Sequence, residues 1–173
     1  MSQPMICRSI HEVTSLIDLN LAKEFVKFPI SRSRRQEISN KFERIVGFPG
    51  IIGAVDCTFV IMISPSEEEH NHVNRHNQHA KNVQIVCDNE LVILNVNAAH
   101  AGSSHDSFIW KNSAAREELN RSHVEGQSWK VLADSGYPLE PWTMTPILGA
   151  RVNSPEWKYT KAHMQRDEIA LKD

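Results

Sequence analysis

The sequence predicts an α/β domain built on one mixed β-sheet, and two observations carry that prediction. Three short apolar segments follow one another at residues 51–63, 82–87 and 91–98, a pattern typical of a strand meander. A helical pattern over 104–120 separates them from a fourth apolar segment at 129–134, and a helix is the usual crossover between parallel strands. The expected order is therefore three strands, a crossover helix and a further strand, with flanking helices.

Composition narrows the class of protein. With 173 residues and 40% hydrophobic content, the chain fits one globular domain. Its formal charge of −2 means that nucleic-acid binding would need a local patch or another subunit. Three widely spaced cysteines predict free thiols in a reducing compartment. Neither a signal-peptide layout nor an apolar run of ~20 residues is present, so we expect no membrane span.

The chain is expected to divide into an N-terminal helical segment, 1–47, and a larger domain, 48–173. Ser33 and Gln36 have the spacing of a capping box, and Gly47 is a helix stop signal. Between them, apolar residues recur at helical spacing: Ile38, Phe42, Ile45 and Val46. The basic residues of this helix, Arg32, Arg34 and Arg35, are interpreted as a solvated first turn rather than a phosphate contact.

Asp56 is the anomaly in the first predicted strand, IIGAVDCTFVIM at 51–62. A short apolar run between turn signals predicts a strand buried on both faces. An ionised carboxylate there costs several kcal/mol, roughly, unless a cation, hydrogen-bond donors or a metal compensates it. Lys130 is the only cationic residue on the neighbouring predicted strands.

Two further aspartates suggest what compensates Asp56. Asp134 begins the turn after the fourth strand and Asp106 lies in the first turn of the crossover helix, so each alone has an ordinary structural explanation. Taken together, the three carboxylates predict a Mg²⁺ or Mn²⁺ site. Paired ions of this kind activate water and stabilise the departing oxygen of a phosphodiester.

Two other clusters offer alternative chemistry. The loop at 64–81 carries four histidines that would suit zinc, His70, His72, His76 and His79, but their spacing matches no structural zinc pattern, and a solvated loop is the better interpretation. Cys57 as a nucleophile is disfavoured, because an apolar strand keeps its thiol protonated. The tryptophans Trp110, Trp129 and Trp142 are expected in the core or at its edge, and a last helix is expected from about Pro155.

The helix over 104–120 is expected to be capped by Ser103 or Ser104. Its residues available for packing are Phe108, Ile109, Ala115 and Leu119.

Several motifs, in order along the chain, resemble the PIF/Harbinger transposase-derived nucleases. They are GFPG with GAVDCT, then VNR at 73–75, NVQIVCD at 82–88, GSSHDSFIW at 102–110 and ADSGYPLEPWTMTPI at 133–147. The resemblance runs from about Phe25 to Met164. It implies a DDE-type catalytic domain with a ribonuclease-H-like fold, hydrolysing DNA phosphodiester bonds.

The resemblance also implies roles for particular residues. Asp56 and Asp134 match catalytic, metal-binding acids, and Asp106 matches a further metal-binding acid. Glu168 is the nearest residue to the last acid, one helical turn early, and the closing helix is expected to be incomplete. The family implies a nuclear protein, with the cytoplasm as a second location, that works with a separate Myb-like DNA-binding partner.

The sequence departs from the family beside its first acid, where Cys57 and Phe59 replace the usual glycine and histidine. The alternative to an active nuclease is therefore a catalytically silent relative that binds DNA or a protein partner. The active nuclease is the leading hypothesis.

Overall fold

The computed structural model describes residues 2–65 and 69–164. Within them, one sheet is formed by the strands β1 Ile51–Ile61, β2 Ala80–Cys87, β3 Ile93–Ala101, β4 Lys130–Leu132 and β5 Thr143–Met144. The α-helices are α1 Gln3–Leu16, α2 Lys23–Phe25, α3 Arg32–Val46, α4 Asp106–Lys111, α5 Ala114–Val124 and α6 Pro155–Met164. A π-helical stretch, Ile17–Ala22, joins α1 to α2, and a 3₁₀ turn occupies Glu69–His72.

The sheet has the strand order β3-β2-β1-β4-β5. The first three strands along the chain pair antiparallel, whereas β4 pairs parallel to β1 and β5 parallel to β4. This confirms the mixed sheet made of a meander, a helical crossover and a further strand, in a ribonuclease-H-like arrangement. The pattern did not predict β5, because two residues are too few to show a period. The expected incomplete closing helix falls on residues 165–173, outside the described residues.

Strand β1 is buried only in its first half. Residues 51–55 are buried, Asp56 and Cys57 are half-buried, and exposed residues follow. The prediction of a strand buried on both faces is therefore wrong beyond Val55. The cause is the position of the core, because α3 packs its buried residues on the start of β1, and the strand then extends past that cover.

Helix α3 begins two residues earlier than predicted. Its N-cap is Ser31, whose hydroxyl accepts a hydrogen bond from the Arg34 amide at 3.3 Å, so the Ser33 capping box is wrong. It ends at Gly47, which adopts the left-handed conformation (φ 74°), as its sequence position predicts. Although α3 lies in the predicted N-terminal segment, its residues Ile38, Phe42 and Val46 belong to the main core. The division at residue 47 stays a prediction.

Arg35 corrects the interpretation of the basic first turn, because its side chain is 1% exposed rather than solvated. The guanidinium donates to the Pro29 carbonyl at 2.7 Å and to the Ser122 hydroxyl at 2.6 Å, and it pairs with Glu118. Burial lowers the pKa of Arg35 below its usual value. The residue therefore joins α3 to α5 and does not face a phosphate.

The predicted helix 104–120 is two helices, α4 and α5. The break comes at Ser113, whose hydroxyl accepts from the Arg116 amide at 3.2 Å and so caps α5. The expected caps Ser103 and Ser104 are wrong, since α4 begins after His105 with no side-chain cap. Ile109, Ala115 and Leu119 are buried as expected, as are all three predicted core tryptophans.

The N-terminal helices α1 and α2 bury no residue. Among residues 2–65 and 69–164, no helix is long and apolar enough to cross a membrane. The predicted last helix is confirmed as α6, whose His163 is buried and contacts the Met144 carbonyl at 2.9 Å.

Candidate active site

The two acids predicted on strands β1 and β4 stand at matching positions in the sheet. Ala54 and Leu132 are register partners in the parallel pair β1/β4. Asp56 and Asp134 each follow two residues later, and the Ala133 amide still donates to the Met144 carbonyl at 2.9 Å. Since neighbouring strands lie about 4.8 Å apart, equal offsets bring the two residues to the same edge of the β1/β4 pair. The pairing of β1 with β4 meets the condition under which these two acids can come together.

Each of these carboxylates is oriented by a backbone amide. Asp56 accepts from the amide of Cys57 at 2.8 Å, and Asp134 accepts from the amide of Gly136 at 2.8 Å, each through Oδ1. The second bond closes the predicted turn after β4. A Cβ atom on Gly136 would lie 3.2 Å from the Asp134 oxygen, so a larger residue would crowd this carboxylate.

Lys130 does not supply the compensating charge considered for Asp56. Its Nζ atom donates to the Ser128 carbonyl at 3.3 Å, and its register partner on β1 is Ile51, five residues before the acid. The half-exposed position of Asp56 lowers the cost of its charge, because water reaches that part of β1. A buried ion pair between Asp56 and Lys130, considered from the sequence, is therefore not needed to compensate the charge of Asp56.

Cys57 and Tyr137, which follow Asp56 and Asp134 in the chain, meet with 3.2 Å between the thiol sulfur and the phenol oxygen. Burial raises the pKa of Cys57 to about 12, and the charges of Asp106 and Asp56 act in the same direction, outweighing the hydrogen bond from Tyr137. Burial also raises the pKa of Tyr137 above its usual range. The raised pKa agrees with the prediction of a protonated thiol, and the low reactivity of Cys57 stays a prediction.

The Asp106 carboxylate accepts a hydrogen bond from a residue of strand β2. Asn82 Nδ2 donates to Asp106 Oδ1 at 2.8 Å and to the Ser104 carbonyl at 2.9 Å, which fixes the start of α4. Asn82 is 2% exposed, and the sequence reasoning missed it. The sequence signal that could have identified Asn82 is that it is a polar residue within an otherwise apolar strand segment.

The described residues contain no group of three or more His, Cys, Asp or Glu side chains that could hold a metal ion. Asp56, Asp106 and Asp134 therefore do not form a preassembled three-ligand centre. Glu168, the fourth predicted acid, lies outside the described residues. Ligand roles for all four acids stay predictions.

The histidine loop is organised by contacts that need no metal. His79 Nε2 lies 2.9 Å from the Glu69 carboxylate, and His76 packs edge-on against Phe59 with 6.1 Å between ring centroids. Asn74 is buried and accepts from the amides of His76 and Gln78. Within residues 69–79 only Asn74 is buried, so these contacts agree with the expected solvated loop.

These features define a class of protein: a ribonuclease-H-like fold with one acid on β1 and a second acid two residues beyond the adjacent parallel strand β4. The chain matches the family model described as DDE superfamily endonuclease over residues 55–170, and it belongs to that family. The predicted resemblance is confirmed.

Curated relatives agree with this assignment. "Putative nuclease HARBI1" of Rattus norvegicus is 31% identical over 99% of this chain and 48% of its own length. Its Xenopus laevis counterpart is 31% identical over 99% of the chain and 50% of its own length. "Protein ALP1-like" of Arabidopsis thaliana is 30% identical over 80% of the chain and 37% of its own length. The chain thus spans about half the length of the HARBI1 relatives, and no solved structure gives a significant match.

Proposed function

We propose that this chain is the nuclease part of a transposase-derived protein and that it hydrolyses DNA phosphodiester bonds with a divalent cation. The observation that carries the proposal is that Asp56 and Asp134 each lie two residues beyond Ala54 and Leu132, which are register partners on the adjacent parallel strands β1 and β4. Membership of the DDE endonuclease family and the similarity to the HARBI1 relatives, which are named as nucleases, support the reaction class.

The donor set fits a hard cation such as Mg²⁺ or Mn²⁺. Sites for Mg²⁺ typically use one or two carboxylates, together with water and substrate phosphate oxygens. Asp56 and Asp134 would hold the cation, and Asp106 and Glu168 would contribute further carboxylates. When bound, such an ion activates a water molecule and stabilises charge on the departing oxygen.

The residues of the chain contribute orientation to this chemistry. The amides of Cys57 and Gly136 each hold one carboxylate in a fixed direction. Tyr137 and Cys57 contact each other as neutral groups, so they add no competing charge near these acids. Preorganised carboxylates of this kind need little rearrangement when the phosphate arrives.

Recognition of a particular DNA site is proposed to depend on a partner. With 19 Lys and Arg against 21 Asp and Glu, the chain has little net attraction for phosphates. A basic, Myb-like DNA-binding protein would supply that affinity, and a nuclear location would follow from the substrate.

A second candidate is a catalytically silent relative that binds DNA or a protein. The observation in its favour is that the described residues include no three-ligand metal group. It differs from the first candidate in one respect that can be measured, the cleavage of DNA.

Nicking of supercoiled plasmid in Mn²⁺ tests the proposal. We expect nicking by the chain itself and by Asp18→Asn, whose acid is exposed on the N-terminal helical stretch. We expect none by Asp56→Asn or Asp134→Asn. Nicking that is equal in all four proteins is contamination and rejects the nuclease function, and so does the absence of nicking in the unsubstituted chain.

A further inference from the structure

Helix α1 carries an apolar face that stays open to solvent within the described part of the chain. Every residue of α1 is exposed. At 3.6 residues per turn, its large apolar side chains and that of the next residue fall on one side of the helix, opposite Arg8 and Ser15. We call them the α1 face, and each is 45–59% exposed: Met5, Ile6, Ile10, Val13, Leu16 and Ile17.

A helix of this length depends on the packing of such a face. Isolated helices shorter than about 12–15 residues are marginal in water, and most helical stability in proteins comes from tertiary contacts. Helix α1 has 14 residues, it buries none of them, and its N-cap Ser2 makes no side-chain capping bond. We therefore expect a further surface to cover the α1 face.

The spacing of four residues of the α1 face fits the same helix in a second copy. They follow one another at intervals of four, three and four residues, which is the alternation of a coiled-coil seam: Ile6, Ile10, Val13 and Ile17. With the two helices antiparallel, Ile6 lies opposite Ile17 of the second copy. In the same arrangement Ile10 lies opposite Val13. A twofold axis repeats both pairs, so this seam complements itself.

The antiparallel orientation follows from what adjoins α1. The rest of the described chain continues from the C-terminal end of the helix, so a parallel pair would bring both sheets to the same end. An antiparallel pair keeps the two sheets at opposite ends. It also places the positive end of each helix macrodipole beside the negative end of the other.

The residues beside this seam carry no charge. Cys7, Ser9 and Thr14 flank it, at positions where many coiled coils carry charged residues. A second copy therefore meets no like charge at the seam. A nucleic-acid partner would instead require basic residues that face the phosphates.

The area of the α1 face suits a dimer of modest stability. Its six half-exposed side chains offer roughly 500 Å² per copy, so pairing would remove roughly 1,000 Å² from water, the lower limit for a specific interface. Interfaces of this size typically form transient complexes. We therefore expect monomers and dimers to exchange in the micromolar range.

We propose that this chain forms a homodimer through antiparallel pairing of the α1 face with the α1 face of a second copy. The proposal assigns a role in association to a helix that contributes nothing to the main core. It is independent of the proposed nuclease function, because neither a cation nor DNA takes part in the pairing.

Sedimentation equilibrium of the full chain in EDTA tests the proposal. We expect a reversible monomer–dimer equilibrium, and we expect Ile10→Glu to weaken it at least about tenfold, because each copy then buries an unpaired charge. Ser15→Glu is the matched control, since it adds the same charge on the opposite side of the same helix, and it should dimerise as the unsubstituted chain does. Both positions are exposed, so neither substitution should change the free energy of urea unfolding at concentrations where the chain is monomeric.

A charge pair tests whether the partner is a second copy. Ile6→Lys and Ile17→Glu should each weaken the dimer, and the double variant should regain about tenfold over either one, because the new lysine of one copy faces the new glutamate of the other. The two positions lie about 16 Å apart along one helix, too far to pair within one copy. A parallel pair would instead bring like charges together in the double variant.

Four results would each overturn the inference: a monomeric unsubstituted chain, an unchanged Ile10→Glu, an equal loss in Ser15→Glu, or a double variant no tighter than the single ones. A chain that stays monomeric would assign the α1 face to a different protein.

Discussion

The Sγ atom of Cys57 and the phenol oxygen of Tyr137 lie 3.2 Å apart, joining strand β1 to the turn that follows β4. Cys57 directly follows Asp56, and Tyr137 closes the turn that begins at Asp134. The parallel register fixes only the residues that pair within β1 and β4. The contact between Cys57 and Tyr137 therefore fixes the two acid-bearing segments relative to each other beyond those residues.

Tyr137→Phe removes this hydrogen bond and leaves the ring in place. We expect the free energy of unfolding to fall by about 1 kcal/mol and Mn²⁺ affinity to fall with it. Tyr159→Phe is the control, because its hydroxyl donates to the Thr145 carbonyl at 3.0 Å, away from the acids. It should lower stability by a similar amount and leave Mn²⁺ affinity unchanged. Equal Mn²⁺ affinity in both variants would contradict a positioning role for Tyr137.

The raised pKa of Cys57 has a consequence for stability at alkaline pH. Its thiol ionises at about 12 in the folded chain instead of 9.0. The unfolded chain therefore releases this proton first, and the free energy of unfolding falls as pH rises through that window. In urea titrations, Cys57→Ala should show a shallower decline than the unsubstituted chain. The same slope in both proteins would mean that the thiol is not held protonated.

Thiol labelling provides an independent check of the same group. At pH 9 we expect iodoacetamide to modify the exposed Cys7 and to leave Cys57 unmodified until the chain is denatured. Mass spectrometry of the digested protein distinguishes the two sites. Rapid modification of Cys57 in the native chain would show that its thiolate is accessible.

Arg35 is the residue where we expect the largest loss of stability. Arg35→Ala leaves Glu118, Ser122 and the Pro29 carbonyl without their buried partner, at a cost of about 3–5 kcal/mol. Arg32→Ala, on the exposed side of the same helix turn, should change stability by no more than about 0.5 kcal/mol. Urea denaturation monitored by tryptophan fluorescence compares the two variants. Similar losses in both would show that the buried network contributes little.

Asp106 has two separable roles, which two substitutions distinguish. Asp106→Asn keeps an oxygen that can accept from Asn82 but removes the charge, whereas Asp106→Ala removes both. If Asp106 assists the cation, both variants weaken Mn²⁺ binding. We expect only Asp106→Ala to destabilise α4 as well, by about 1–3 kcal/mol. Full Mn²⁺ affinity in Asp106→Asn would limit the residue to its structural contact.

Much of the architecture could be predicted because it depends on patterns that are local in the chain. Alternating and β-branched residues identify β1, β2 and β3, and the helix between β3 and β4 implies a parallel neighbour for β1. The shared position of Asp56 and Asp134 follows from those elements. Long-range contacts account for what was missed: the burial of Arg35 depends on Ser122 and Glu118, far away in sequence.

Local competition explains the other errors. Ser31 and Ser33 offer the same capping hydroxyl, and the chain uses the earlier one because the helix starts at Arg32. In the sequence, Ser113 resembles an ordinary helical residue. In the structure, its hydroxyl caps the second helix, α5. Phe108 has the spacing of a core residue, yet the short α4 leaves it beside His100 at the surface.

The central claim is that Asp56 and Asp134 form one divalent-cation site, and calorimetric titration with Mn²⁺ tests it most directly. Each single substitution, Asp56→Asn or Asp134→Asn, should weaken binding by at least the roughly 10–100-fold that loss of an outer partner costs. The double variant should lose little more than either single one, because both act on one ion. Unchanged affinity in either single variant, or fully additive losses in the double variant, would contradict a shared site.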